Sequence, residues 1–391
     1  MRKLLTLPAK LNTCSVEDAI YQNALTCITD LALNLMAVKV EHHPEDFLGW
    51  CQQLLKICQH DLNFDLLEEK QLPVLKKLQD TLQQGISQIQ LKMLRVAPWP
   101  VFYQAIESMA ELQSLQERTQ LLHYIANIRE LPLAQLSQAD LQAFSGKHGA
   151  CHDIDNYPFD VEWFASTKAA KTFHRLLTNH TELFDQALAH IPLQGEVEKQ
   201  HYQDFVDAYK QIFATHTDSE KAPLIAATRL LAMRRPDVFV PLTNANLANL
   251  CKGLNISKFG NQDFDGYYQE LINVLPIYAW YRCAQPEDEQ QAFIWQHRAL
   301  MFDLFFYADE DQARRSNYVR MRDKPKTVKI SAGANRASKR SKETAEMLVD
   351  KALAEDGVEE YLLDMRDTLI KSVSAGKSVD QAMQLMRSIF G

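Results

Sequence analysis

Glycine is scarce in this sequence, with 12 glycines among 391 residues, less than half the usual ~7%. Enzymes built on parallel α/β sheets use glycine in phosphate-binding loops and tight turns, so the scarcity argues against that class. Catalytic signatures are also missing, since the sequence has no GxGxxG, HExxH or GxSxG motif and no EF-hand loop. We therefore favour a non-catalytic protein that has no cofactor, no catalytic residues and no bound metal.

Long apolar runs are absent as well. A membrane-spanning helix needs ~20 mostly apolar residues, and the longest candidate, Ile28–Val40, contains Asp30, Asn34 and Lys39. The apolar run at the N-terminus is too short for a signal peptide, because a proline and a lysine interrupt it. The seven cysteines are scattered without a CxxC pair, which is typical of reduced thiols. The sequence predicts a cytoplasmic protein without membrane contact.

Apolar residues recur at three- and four-residue spacing through most of the chain, and strict alternation is rare. This pattern predicts a mainly α, multi-helix protein. One or two long helices are expected from Leu62 to Val96, broken at Pro73 or Gly85. A further helix is expected from Val101 to about Glu130.

The segment Ser145–Pro158, SGKHGACHDIDNYP, has strong loop character, with two glycines, an Asp/Asn cluster and a proline. We place a domain boundary there. The predicted organisation is an N-terminal helical domain at residues 1–145 and a second helical domain at residues 159–312. A basic linker or strap at residues 313–342 and a small C-terminal helical tail at residues 343–391 follow.

Charge is distributed very unevenly along the chain, which has a formal net charge of −8. Residues 1–313 carry −13, residues 314–342 carry +10 from eleven bases and one acid, and residues 343–391 carry −5. A basic run with an interleaved tyrosine can neutralise phosphates without reading base sequence. The candidate nucleic-acid-binding residues are Arg314, Arg315, Arg320, Arg322, Lys324, Lys326, Lys329, Arg336, Lys339 and Arg340.

The basic run has other interpretations that the sequence leaves open. It is compatible with a solvated linker, with a strap on the acidic body of the same chain, or with a segment that docks on an acidic partner protein. The expected partners are therefore other protein subunits and nucleic acid.

One compact set of metal-capable side chains consists of His148, Cys151, His152 and Asp153. Zinc takes about four nitrogen, sulfur or oxygen ligands, and the spacing here matches none of the common zinc motifs. No cysteine pair elsewhere is ready to complete the site. We interpret the segment as a polar loop, and an enzyme with a metal or ligand site there is the alternative.

Residues 224–256 begin with LIAATRLLAMRRPDVFVPLT, an apolar helix that ends in Pro-Asp-x-Phe-x-Pro, and a second helix follows. This segment resembles part of bacterial restriction and defence proteins, such as the DNA-facing parts of modified-cytosine restriction systems. The residues that match the motif are Pro236, Asp237, Phe239 and Pro241. The resemblance implies that they form a rigid corner between two helices. The nucleotide-binding loop of such systems is missing here. The resemblance therefore implies an accessory subunit of a DNA-directed, anti-phage or anti-plasmid complex.

Overall fold

The structure, a computed structural model, describes residues 13–36, 38, 44–324, 345–353, 362, 365–374 and 379–390. These residues form helices and connecting loops, and there is no β-strand among them. The prediction of a mainly α, multi-helix protein is confirmed. Backbone contacts divide the chain into two compact units, Met1–Pro325 and Lys326–Gly391.

The first unit begins with three helices around a core of their own: α1 (Ser15–Met36), α2 (Phe47–Lys56) and α3 (Leu72–Leu94). Of the two predicted breaks, Pro73 lies in the first turn of α3, and the helix continues through Gly85. A Cβ atom at position 85 would lie 2.9 Å from Cγ2 of Ile20 in α1, so glycine lets these helices approach closely. The core includes Ile20, Leu31, Trp50, Leu54, Leu78 and Leu82.

A larger core, built from residues between Leu91 and Phe306, forms the rest of this unit. Its helices are α4 (Trp99–Ser108), α5 (Leu115–Ile128), α6 (Gln138–Ser145), α7 (Lys171–Asn179), α8 (Thr181–Ala189), α9 (Lys199–His216), α10 (Leu224–Arg234), α11 (Asn244–Leu254) and α12 (Glu289–Gln296). A π-helical turn at Tyr267–Ile272 and a 3-10 segment at Leu300–Phe305 also contribute buried residues. Residue 91 belongs to α3, so this helix takes part in both cores.

The single helix predicted from Val101 to Glu130 is wrong, because α4 and α5 are separate helices. Ser114, the residue before α5, has a left-handed backbone with φ of +51°. A non-glycine residue seldom adopts this conformation, and a chain that does so cannot continue a right-handed helix.

The loop at residues 145–158 lies inside the first unit, and residues on both sides of it share one core. Arg229 of α10, which is fully buried, holds the loop region in place. Its guanidinium donates to the backbone carbonyls of residues 143, 144, 161, 163 and 164. The compact units do not divide at the predicted boundary between residues 1–145 and 159–312, and Arg229 joins the backbone on the two sides of this loop.

The described part of the second unit consists of α14 (Ala345–Leu353), α15 (Arg366–Ser374) and α16 (Val379–Phe390). Its small core contains Val349, Leu362, Leu369, Ala382, Met383 and Met386. Arg366 binds both carboxylate oxygens of Asp350, at 2.6 and 2.8 Å. Across the described ranges of both units, no helix is long and apolar enough to traverse a bilayer.

Candidate nucleic-acid interface

The basic run starts in a short helix, α13 (Asn317–Arg322), which follows a 3-10 turn at Ala313–Arg315. Ser316 caps this helix, because its Oγ accepts the backbone N–H of Val319 at 3.2 Å. Ser316 is itself buried, and its hydroxyl donates to a carboxylate oxygen of Glu117 at 3.0 Å. The start of the basic helix is therefore tied to the first turn of α5.

A second carboxylate, that of Asp160, binds the first residue of α13. One oxygen accepts the backbone N–H of Asn317 at 2.7 Å, and the two oxygens accept from its side-chain amide at 2.9 and 3.0 Å. A carboxylate at the start of a helix satisfies a free N–H and favours the positive end of the helix dipole. Asp160 is buried and Asn317 is partly buried, so the attachment joins the interior of the protein to the basic helix.

Beneath these contacts lies a network of buried and partly buried polar groups. Glu117 accepts the backbone N–H of Asp160 at 2.7 Å and the indole N–H of Trp163 at 2.6 Å. Burial raises the pKa of the Glu117 carboxyl, although these hydrogen bonds oppose the shift. The guanidinium of Arg118 lies 4.1 Å from the centroid of the Trp163 ring and pairs with Asp303. This network gives α13 a rigid support.

Acidic residues just before the basic run pair with its first two arginines. Arg315 lies 3.3 Å from the carboxylate of Asp309 and 3.6 Å from that of Asp311, and Arg314 also lies 3.6 Å from Asp311. Exposed pairs of this kind contribute only about 0–1 kcal/mol, so a phosphate can replace the carboxylate at little cost. Even so, the acids reduce the positive charge at this end of the run.

The other described bases lie on α13 and just beyond it. Arg322 binds the neighbouring Asp323 at 2.8 Å, and its guanidinium lies 5.9 Å from the centroid of the Tyr318 ring. Arg320 and Lys324 are exposed, and neither has an ion-pair partner in the part of the chain that the structure describes. These two cations are the ones most available to a phosphate.

The remaining predicted residues lie outside the described part of the chain. They are Lys326, Lys329, Arg336, Lys339 and Arg340. Their role in binding nucleic acid stays a prediction from the sequence.

The candidate metal residues do not converge on one point. His152 is buried; its Nδ1 accepts the N–H of Gly149, and its Nε2 lies 3.0 Å from the carbonyl oxygen of Ala139. Burial lowers the pKa of His152, which favours the neutral ring that these contacts require. Asp153 accepts the N–H groups of residues 155 and 156 and shapes the loop. Within the described residues, no group of three or more His, Cys, Asp or Glu side chains is placed to hold a metal ion.

The rigid corner that the resemblance implies, at residues 236–241, lies between α10 and α11. Arg235 binds both carboxylate oxygens of Asp237, at 2.8 and 2.9 Å, and donates to the carbonyls of Pro192 and Gly195. The carbonyl of Pro236 accepts the N–H of Leu300 at 3.0 Å. These contacts fix the path of the chain, so Asp237 has a structural partner.

Sequence reasoning missed Glu117 and Asp160, the residues that hold the basic helix. Each is a single acid in a chain with 50 acidic residues, and nothing in its local sequence distinguishes it. Comparison of the chain with protein-family models, with curated proteins and with solved structures gives no match in any of the three.

Proposed function

We propose that the protein is a non-catalytic, helical accessory subunit of a bacterial DNA-directed complex of the anti-phage or anti-plasmid kind. Residues 314–342 bind the phosphate backbone of nucleic acid without sequence specificity, and the acidic body contacts partner subunits. The observation that carries the proposal is the attachment of α13 to Asp160 and Glu117. This attachment supports the start of a segment whose net charge is +10.

An anchored basic helix is suited to backbone binding for two reasons. Its cations are presented from a fixed support, so less conformational freedom is lost when a phosphate binds. Tyr318, which lies on the same helix, offers a ring on which an unpaired base can stack. Neither contact depends on base identity, so we expect the protein to bind nucleic acid without sequence specificity.

The choice of complex rests on the sequence resemblance of residues 224–256. The contact of Arg235 with Asp237 supports the rigid corner that the resemblance implies at residues 236–241, and the sequence contains no nucleotide-binding loop motif. An accessory role, in which another subunit supplies any ATP- or GTP-driven step, is consistent with both features.

The proposal is tested by the binding of a labelled duplex to the full chain, measured by fluorescence anisotropy at low salt. A variant with Arg320, Arg322 and Lys324 changed to glutamine is compared with one in which the exposed Arg175, Arg282 and Lys258 are changed to glutamine. Both variants lose three positive charges, so their net charges are equal. We expect the first to weaken binding about tenfold or more, and the second to bind as the wild type does.

The carboxylate partners of Arg314 and Arg315 favour a second candidate function. In this alternative, the protein is an adaptor whose basic segment docks on an acidic partner protein. The adaptor function is supported if the wild-type chain binds neither duplex nor single strands at low salt, while the same Arg320, Arg322 and Lys324 changes abolish capture of a protein partner. That result would contradict the nucleic-acid proposal.

A further inference from the structure

A groove of about 1030 Å³ lies in the first unit, where α2 and α3 meet α4 and the segment at residues 305–311. Its volume reaches the upper end of the ~300–1,000 Å³ range of small-molecule sites. Much of its lining is apolar and comes from separate helices. These side chains include Phe47, Leu48, Ile89, Met93, Met109 and Leu112.

The charged residues of the groove are mainly acidic. Three acids in succession, Asp309, Glu310 and Asp311, lie along one edge, and Glu17 and Asp46 also line the groove. The cations of the lining are Lys56, Lys92 and Arg315. Five carboxylates against three cations leave the lining net negative. Glu310 is exposed and has no ion-pair partner among the described residues.

Two buried acceptor atoms of the lining residues have no hydrogen-bond partner among the residues that the structure describes, namely Oε1 of Gln90 and Oδ1 of Asp309. Within the same residues, the amide nitrogen of Gln90 contacts a weak acceptor, the sulfur of Met109, at 3.3 Å. An acceptor left unpaired away from water costs about 1–3 kcal/mol, so a ligand that supplies donors here is favoured.

We propose that this groove binds an amphipathic helix of a partner protein, with Lys or Arg residues facing the acidic edge formed by residues 309–311. Grooves that recognise an amphipathic helix have an apolar floor, which takes the apolar side chains at positions i, i+3, i+4 and i+7 of the helix. The groove described here has an apolar floor beside a charged edge. The negative lining selects a basic helix over an acidic one. The groove is then a surface through which the accessory subunit proposed above contacts a partner subunit. In this respect the inference rests on that proposed function. Peptide binding and DNA binding are measured separately, so either can fail alone.

The test uses a phage-displayed library of helix-forming peptides, selected on the full chain. Enriched peptides are then measured by fluorescence anisotropy against wild type and Ser108→Trp. Ser108 is exposed on α4 and lines the groove, so an indole at this position fills it without removing a core contact. Gln104→Trp, one turn earlier on α4, is exposed and lies outside the lining, and serves as the matched control. We expect basic amphipathic peptides to bind at least about tenfold more weakly to Ser108→Trp and equally well to Gln104→Trp.

A charge exchange tests the acidic edge. Glu310→Lys is expected to weaken the enriched peptides several-fold at low salt, while Glu287→Lys, an exposed change of equal charge away from the groove, leaves them unchanged. The proposal is overturned if no peptide is enriched, or if enriched peptides are acidic or bind Ser108→Trp as tightly as wild type. It is also overturned if only a small apolar dye binds and Ser108→Trp displaces it, because the groove is then a small-molecule site.

Discussion

The Asp160 carboxylate binds Asn317 through both its backbone N–H, at 2.7 Å, and its side-chain amide, at 2.9 and 3.0 Å. Asp160 is buried in the large core, and Asn317 is the first residue of the basic helix α13. This contact connects the interior of the protein to the surface that we propose for nucleic acid. The stability and the function of the basic helix therefore depend on the same carboxylate.

Replacing Asp160 with alanine should loosen α13. The change removes the acceptors of three hydrogen bonds from Asn317 and of a fourth from the backbone N–H of Glu162, and it leaves the start of the helix without its carboxylate. The expected cost is about 1–3 kcal/mol in the free energy of unfolding. Trypsin should then cleave faster after Arg314 and Arg315, which mass spectrometry of the fragments detects. Asp155→Ala, at an exposed position five residues before Asp160, should change neither quantity. Equal cleavage rates for wild type and Asp160→Ala would show that other contacts hold the helix.

Removing an acid beside the basic run should strengthen binding to DNA. Asp311 pairs with both Arg314 and Arg315, so Asp311→Asn leaves Arg314 without this partner, while Arg315 keeps its closer contact with Asp309. We expect a several-fold gain in affinity at low salt and a salt slope steeper by up to about 0.9 for each added phosphate contact. Asp155→Asn changes the net charge equally and should have little effect. Weaker binding of Asp311→Asn would mean that the acid positions the arginines productively.

Arg229 should be among the most costly residues to replace. Its buried guanidinium donates to five backbone carbonyls. Arg229→Met is expected to lower the free energy of unfolding in urea by at least about 3 kcal/mol, because it removes all five hydrogen bonds from buried backbone carbonyls. Arg175→Met, an exposed change on α7, should cost far less. A loss below about 1 kcal/mol would show that the loop does not depend on this arginine.

Stability should fall in mild acid because buried histidines, among them His174 and His297, are held in their neutral form. Burial lowers the pKa of His297 to about 3, with the nearby Arg129 adding to the shift, and lowers that of His174 to about 4. In the unfolded chain a histidine titrates near 6.5, so below this pH the unfolded state binds more protons than the folded state. Each histidine then reduces the free energy of unfolding by up to about 1.4 kcal/mol per pH unit as the pH falls from 6.5 towards 4, and contributes no such loss above 6.5.

Urea unfolding at pH 7.5, 6 and 5 measures this dependence. His297→Gln should flatten it by the contribution of one histidine, while His190→Gln, an exposed change, should leave the dependence as in wild type. If His297→Gln retains the full acid sensitivity, the titration of other groups controls stability in this range.

The helices could be predicted where apolar periodicity and proline agree, as at the start of α3 near Pro73 and of α4 after Pro98. The gap before α5 could not be predicted, because Ser114 adopts a left-handed backbone and serine gives no indication of this conformation in the sequence. The loop at residues 145–158 has the composition of a linker, yet Arg229, which is far away in sequence, binds backbone carbonyls next to it. Such a contact cannot be predicted from the local sequence.

In the candidate site, too, some features could be predicted from the sequence and others could not. The positive charge of residues 314–342 is visible in the sequence, as are the acids at positions 309 and 311. Which acid pairs with which arginine depends on the turn at Ala313–Arg315, and the support from Glu117 and Asp160 depends on the tertiary fold. Pairing and support therefore follow from the tertiary fold and could not be predicted from the local sequence.

The salt dependence of duplex binding by the full wild-type chain tests the nucleic-acid claim most directly. Anisotropy titrations on two duplexes of unrelated sequence give the observed association constant at several salt concentrations. Only some of the eleven bases can face one backbone at once, so we expect roughly four to six phosphate contacts and a logarithmic slope near −4 to −5 on both duplexes. Absence of binding at low salt, or a slope near zero, would contradict the account.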